Sequence, residues 1–289
     1  MKTPIVFIIF NRPTLTQKVF NEIKKAKPAQ LFIISDGPRN EKERELINET
    51  RKIIDRIDWK CEVYKKYSET NLGCKISVSS GLDWVFSKVD QAIILEDDCV
   101  PDQSFFPYCE ELLERYRNNK KIMMVSGDNF FKTSSEFSYN FCHHSLIWGW
   151  ATWRRSWVLY KKACLLPVEK LEENRSEFQT LVSGRRLDAI KKTIEGKIDT
   201  WDYMWQYAML LCKGLCIYPS VNLVRNIGFG NGATHTKYKT FHSKLSQSAI
   251  QFPLVHPNRI TPNISFDSAI SKTYHPFYSL IDVISHFFQ

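Results

Sequence analysis

The chain has 289 residues, 43% of them hydrophobic and 13% aromatic, and a formal net charge of +9. Such a chain buries a sizeable core, which excludes an intrinsically disordered protein, and its length suits one large domain. The charge is uneven: from Tyr203 onward only Asp267 and Asp282 are acidic, against seven Lys and Arg, yet no helix-turn-helix, zinc-finger or RNA-recognition pattern accompanies them, so nucleic acid ranks last among partners.

Ile5–Phe10 is a short apolar run that reads as a central strand; it leads into Asn11-Arg12-Pro13 with no cleavage site, so no signal peptide is expected. Thr14-x-x-Gln17 reads as a capping box for a helix to about Ala26, with Leu15, Val19 and Ile23 on one face. Leu31–Ile34 is a second strand, closed by the turn Ser35-Asp36-Gly37-Pro38. Asn40-x-x-Glu43 opens a second helix through Ile57, Glu62–Tyr64 is a brief strand, and Asn71-Leu72-Gly73 leads into a helix through Leu82, Val85 and Phe86.

Ala92-Ile93-Ile94-Leu95 reads as a strand buried on both faces, the habit of a parallel sheet. Glu96-Asp97-Asp98 follow at its end, and Pro101 stops its continuation. Adjacent acids repel unless a cation lies between them, and hard oxygen ligands of this kind suit Mg²⁺ or Mn²⁺; the plainer reading is a solvated acidic turn. A helix over about Ser104–Tyr116 and a strand over Ile122–Val125, closing at Ser126-Gly127-Asp128-Asn129, complete five strands alternating with four helices. This order argues for an α/β fold with a doubly wound, mostly parallel sheet and helices on both faces, whose polar strand ends converge on one edge. Neither Gly-x-Gly-x-x-Gly nor a Walker A motif is present, which argues against a dinucleotide fold or a P-loop.

After Phe131 the alternation stops. Trp148, Trp150, Trp153 and Trp157 fall within ten residues, either filling the core or offering a stacking platform for a sugar ring. Glu169–Gly196 reads as two surface helices broken at Ser183-Gly184. Asp202 sits inside the aromatic run Trp201–Trp205, as a buried structural acid or as a poised base. Arg225–His235, rich in glycine, reads as a mobile loop over a site. Phe277, Leu280, Ile281, Ile284, Phe287 and Phe288 recur at helical steps in a tail that must bury one face, against its own domain, a second subunit or a lipid surface. The eight cysteines form no Cys-x-x-Cys pair, a pattern of reduced thiols, and nothing reaches transmembrane length; a cytoplasmic protein is expected, with peripheral contact at the inner face of the membrane through the tail as an option.

In this order the motifs resemble the inverting nucleotide-sugar glycosyltransferases of GT-A fold similar to N-acetylglucosaminyltransferase I, in a bacterial branch, from Pro4 to about His235. Ile8-Ile9-Phe10-Asn11-Arg12 resembles the family's first strand, and the resemblance implies that Asn11 and Arg12 lie at the donor nucleotide, with Arg12 on the diphosphate. Ile34-Ser35-Asp36-Gly37 is similar to the loop whose acid reads the uracil ring, which points to Asp36. Leu95-Glu96-Asp97-Asp98, with Pro101-Asp102 and Phe105-Phe106 behind it, resembles the metal motif, implying Asp97 on the ribose and Asp98 on Mn²⁺ or Mg²⁺. Trp201-Asp202 resembles the segment carrying the catalytic base, implying that role for Asp202, and Arg225–His235 the loop closing over the donor, implying a contact from His235 to the metal or its phosphates.

Two positions depart from the family pattern: Tyr203 replaces a second acid, and a histidine before Asn71–Gly73 is missing, with Lys75 the substitute there. The resemblance thus implies transfer of a hexosyl or N-acetylhexosaminyl group from a UDP-sugar to a glycan or lipid-linked saccharide. It divides the chain into a nucleotide-sugar half (1–130), an acceptor and catalytic-base half of the same domain (131–260) and the amphipathic tail (261–289). A sugar-phosphate nucleotidyltransferase is the alternative, although Asn11-Arg12-Pro13-Thr14 lacks that class's glycines; a non-catalytic carbohydrate-binding protein of the same fold is another.

Overall fold

The computed structural model describes residues 1–131, 135–229 and 245–273. His235 and the tail from Tyr274 onward lie outside the described residues. The first half runs β1 (Ile5–Ile9), α1 (Pro13–Ala26), β2 (Gln30–Ser35), α2 (Glu41–Lys52), β3 (Glu62–Tyr67), α3 (Gly73–Phe86), β4 (Gln91–Glu96), β5 (Cys99–Pro101), α4 (Phe105–Arg115) and β6 (Ile122–Ser126). The second runs β7 (Tyr139–Cys142), β8 (Trp150–Trp153), α5 (Arg154–Cys164), α6 (Val168–Glu173), α7 (Arg175–Phe178), α8 (Gly184–Ile194), α9 (Asp202–Leu211), β9 (Leu215–Pro219), β10 (Val224–Asn226) and α10 (Ile264–Thr273).

Eight strands form one sheet in the order β3-β2-β1-β4-β8-β6-β9-β7, with antiparallel pairing only at β4–β8, β8–β6 and β9–β7. Six strands therefore point one way, giving the doubly wound, mostly parallel α/β sheet that the alternation of elements predicts. The continuous apolar runs follow from burial on both faces. Successive residues alternate between two cores: Val6, Phe32 and Ile94 meet α3, α5 and α9, while Phe7, Ile33 and Ile93 meet α1 and α4. The outermost β3 carries Glu62, Lys65 and Lys66, charges that discourage further pairing at an edge. At the other edge, Phe141 of β7 bridges to Pro262, and α10 follows.

The register fixes the functional edge. Ile8 pairs with Glu96 and Ile9 with Ser35, so the ends of β1, β2 and β4 are level. Trp150 of β8 pairs with both Ile94 and Ser126, which brings the residues after β6 to the same edge.

Several local expectations are corrected. The Thr14-x-x-Gln17 capping box does not form, because α1 begins at Pro13, whose preset φ and missing N–H make it a good first residue; Gln17 donates to Asn21 at 2.8 Å instead. The Asn40 cap does form, accepting from the Glu43 N–H at 3.0 Å, but α2 ends at Lys52 and only a tight turn, Ile53–Arg56, continues it. Beyond residue 131 the regular alternation does stop, but β7, β8 and β9 still extend the same sheet. Three of the four clustered tryptophans are core: Trp150 stacks on Trp201 and Trp157 on Tyr160, while Trp153 donates to the Leu113 carbonyl at 3.1 Å. Among the described residues, no helix is long and apolar enough to cross a membrane.

Candidate active site

Asp97 and Asp98 stand in the two residues between β4 and β5, at the level where β1 gives way to α1. Arg12 occupies that point on β1's side and reaches across to them. Its Nη1 lies 2.9 Å from Asp98 Oδ2, while its Nε (3.3 Å) and Nη2 bind the two oxygens of Asp97. Burial would lower the Arg12 pKa, but Asp97 and Asp98 outweigh it and raise it. Burial pushes the Asp97 carboxyl up to about 6 against the opposing pull of Arg12. Glu96, half-buried at the end of β4, is pushed up to about 8, first by burial and then by Asp98 and Asp97. Two carboxylates share one guanidinium with Glu96 beside them, so the cluster holds more acid than base.

A strap covers this cluster. β10 pairs antiparallel with β5, and the Ile227 N–H donates to the Asp98 carbonyl at 2.8 Å. Gly228 then rests on the Asp98 side chain. A Cβ there would collide with Oδ2 and come 2.8 Å from Cγ, so the position requires glycine for close approach. The expected glycine-rich loop thus begins as an ordered lid, and its continuation through His235 lies outside the described residues.

The donor set suits a hard divalent ion. Asp98 supplies carboxylate oxygens, its side chain keeps 12% exposure, and the Arg12 guanidinium already stands in as a cation, while the Gly228 backbone lies directly against its Oδ2. Among the described residues, no three His, Cys, Asp or Glu side chains form a cage. Mg²⁺-type sites of one or two carboxylates draw their remaining ligands from water and substrate phosphates.

Asp202 belongs to the first turn of α9, where exposed N–H groups favour a carboxylate. Thr200 Oγ1 donates to its Oδ1. The neighbouring Trp201 is locked against Trp150 with ring centroids 5.3 Å apart, which anchors the turn to the sheet. Asp202 is close enough to the acid cluster to raise the Glu96 carboxyl. The Cys74 thiol is pushed up to about 12 by burial, then by Glu96, Asp202 and Asp199. Asp199 ties this turn to α3, accepting the N–H groups of Cys74 (2.9 Å) and Lys75 (3.1 Å).

The remaining expected contacts are committed elsewhere. Both Asp36 oxygens accept bonds from the protein itself: Gly37 N–H at 2.8 Å, Asn71 Nδ2 at 3.0 Å, Leu72 N–H at 2.9 Å and Gly73 N–H at 3.1 Å. It therefore holds the 71–73 turn rather than presenting a free carboxylate. Asn11 donates to Glu43 at 3.1 Å, and Lys75 Nζ to the Thr193 carbonyl at 3.1 Å, which turns that ammonium toward α8. Asp128, in the turn that closes β6, is fully buried; its Oδ2 accepts the Trp148 N–H at 2.9 Å and burial pushes its pKa far up. Trp148 alone of the four tryptophans stays half-buried, edge-on to Phe229 of the lid at 5.7 Å.

Reading the sequence alone misses Asp199, Thr200 and the pairing of β10 with β5. Thr200 lies only two residues from the Asp202 that it bonds, whereas the partners of Asp199 are 125 and 124 residues away.

No family model and no curated protein matches the chain. Solved structures similar to it include residues 1–349 of TarS from S. aureus (9% identity, TM-score 0.45, 78% of this chain and 59% of that one). A longer S. aureus TarS structure is similar at 11% identity and TM-score 0.43, over 76% of this chain and 37% of that one. A third is 4-diphosphocytidyl-2C-methyl-D-erythritol synthase from Anaerococcus prevotii, at 12% identity and TM-score 0.35, over 55% and 76%. The chain thus spans less than two thirds of either TarS structure, and likeness at this level carries no argument about its activity.

Proposed function

We propose that the protein is a metal-dependent inverting glycosyltransferase that moves a sugar from a nucleotide diphosphate sugar, UDP-linked, to a hydroxyl of a glycan or lipid-linked saccharide. The observation that carries this reading is the gathering of two groups at one sheet edge: the Arg12–Asp97–Asp98 cluster, and Asp202 at the start of α9, near enough to Glu96 to raise its carboxyl. Open α/β sheets bind ligands at this edge.

Asp98 would hold Mn²⁺ or Mg²⁺, and such an ion supplies charge neutralisation for the leaving diphosphate. Arg12 gives the phosphates a second positive partner. Asp97, pinned in place by Arg12, is left for the ribose edge, as the resemblance implies. Asp202 takes the proton of the acceptor hydroxyl. Its Oδ1 is held by Thr200, which leaves Oδ2 for that proton. The hydroxyl oxygen bonds to the anomeric carbon as the bond to the diphosphate breaks, and a single displacement of this kind inverts the configuration. Asp36 contributes indirectly, by shaping the 71–73 turn beside the nucleotide.

Calorimetry of UDP with Mn²⁺ tests the reading. Asp98→Ala should lose Mn²⁺-dependent UDP binding with the fold intact, and unchanged binding would overturn the assignment. With a UDP-sugar that turns over, Asp202→Asn should keep donor affinity and lower kcat by about 10²–10⁴-fold. A thermal-shift screen of nucleotide sugars with Mn²⁺ identifies the donor, since a ligand at 100 times its Kd adds about 2.7 kcal/mol.

A further inference from the structure

We propose that Arg12 is an internal counter-ion that exchanges partners when substrate arrives, releasing Asp98 while it takes up the diphosphate, so that nucleotide and divalent cation bind cooperatively. This rests on the glycosyltransferase reading and adds a thermodynamic device to it.

The two halves of the Arg12 contact are unequal. Asp97 is gripped by Nε and Nη2 together, and its side chain is only 4% exposed. Asp98 is held by Nη1 alone, with 12% exposure. The Arg12 backbone cannot move to help: its carbonyl accepts both the N–H and the Oγ1 of Thr16 at 2.9 Å, and Pro13 follows. Any rearrangement is therefore a side-chain rotation in which the forked contact to Asp97 is the pivot and Nη1 is the group that changes partner. The Asp98 main chain is fixed through its carbonyl to Ile227, and its Oδ1 accepts the Cys99 thiol at 3.4 Å, a contact that holds the carboxylate when Nη1 leaves.

Each ligand alone must compete with a contact that is already made. A divalent cation finds Asp98 already paired and a guanidinium beside it. A diphosphate finds Arg12 already neutralised and carboxylates nearby. Together they resolve both conflicts, because Nη1 turns to a phosphate oxygen and Asp98 is freed for the cation. By linkage, each must then tighten the other by the same factor, within the usual range of about 5–150-fold.

The test is calorimetry of Mn²⁺ and of UDP, each alone and in the presence of the other, on the wild-type chain, Arg12→Gln and Arg12→Lys. In the wild type, each ligand should tighten the other about tenfold or more. Arg12→Gln should bind Mn²⁺ alone about tenfold more tightly than the wild type and show weaker mutual tightening, because the competing charge is gone. Arg12→Lys, which keeps the charge but cannot fork across two carboxylates, should fall between them. If both ligands bind but neither variant takes Mn²⁺ alone more tightly than the wild type, the exchange is overturned and the glycosyltransferase reading stands. If no form binds Mn²⁺ even with UDP, both are overturned.

Discussion

Asp36 offers the sharpest separation between what the sequence motif implies and what the fold does. Its carboxylate accepts from four donors: the N–H groups of Gly37, Leu72 and Gly73 and the Asn71 amide. A hydrogen bond to a charged group contributes about 1.5–3 kcal/mol, so full loss of all four would cost about 6–12 kcal/mol. The turn is at the surface, with Leu72 exposed, so freed donors on that side regain water. Asp36 itself is buried, and Arg51 clamps the neighbouring carbonyls of Asp36 and Ser68 at 3.0 and 3.1 Å, so the inner donors do not. We therefore expect Asp36→Ala to destabilise the protein by about 3–5 kcal/mol, and Asp36→Asn by somewhat less because one neutral acceptor remains. Urea unfolding followed by tryptophan fluorescence measures both. A loss below about 1 kcal/mol, accompanied by a tenfold fall in UDP affinity, would refute the structural role and return Asp36 to direct contact with the nucleobase.

Two further outcomes are expected. His144 is fully buried, its Nδ1 has no hydrogen-bond partner, and its pKa is lowered to about 3, by burial first and then by the charge of Arg186. The unfolded chain takes up that proton near pH 6.5 while the folded chain resists until about pH 3, so stability falls as pH drops through this window. The difference in urea stability between wild type and His144→Gln should narrow as the pH falls from 6.5; parallel curves would sink the argument. Gly228→Ala should cost about 1–3 kcal/mol in unfolding measurements, because the new methyl must lift the strap or displace Asp98. Calorimetry should show its Mn²⁺-dependent UDP binding weakened more than tenfold; unchanged binding would mean that the contact with Asp98 is incidental.

Much of the sheet was legible because a strand buried on both faces writes an unbroken apolar run, as in Ile5–Ile9 and Ala92–Leu95. The acid triplet after β4 was legible for the same reason, since charge at the end of such a run has only the sheet edge to occupy. What escaped were elements specified by partners rather than by period. Trp150–Trp153 has no alternation because both of its faces are covered, and its aromatic content reads equally well as a binding surface. Cys99–Pro101 and Val224–Asn226 are three-residue strands, too short for any pattern, and each exists because the other is there. Asp36 looked free because its partners lie 35 to 37 residues downstream.

The place of β8 in the sheet has a consequence for how the chain is made. This strand enters late in the sequence yet lies between β4 and β6, and the partners of β6 are β8 and β9 alone. A nascent chain ending near residue 130 would therefore present β4 with a bare apolar edge at Ile93 and Ile94, and β6 with no neighbour on either side. Ribosomes add about 5–20 residues per second, so the edge of β4 stays open until β8 emerges and the far side of β6 for several seconds more, until β9 emerges. Open apolar edges are templates for pairing with other chains. Fragments that stop before Pro219 should accordingly be collected as aggregates or held by chaperones, and the N-terminal half should not be recoverable as a folded nucleotide-binding module.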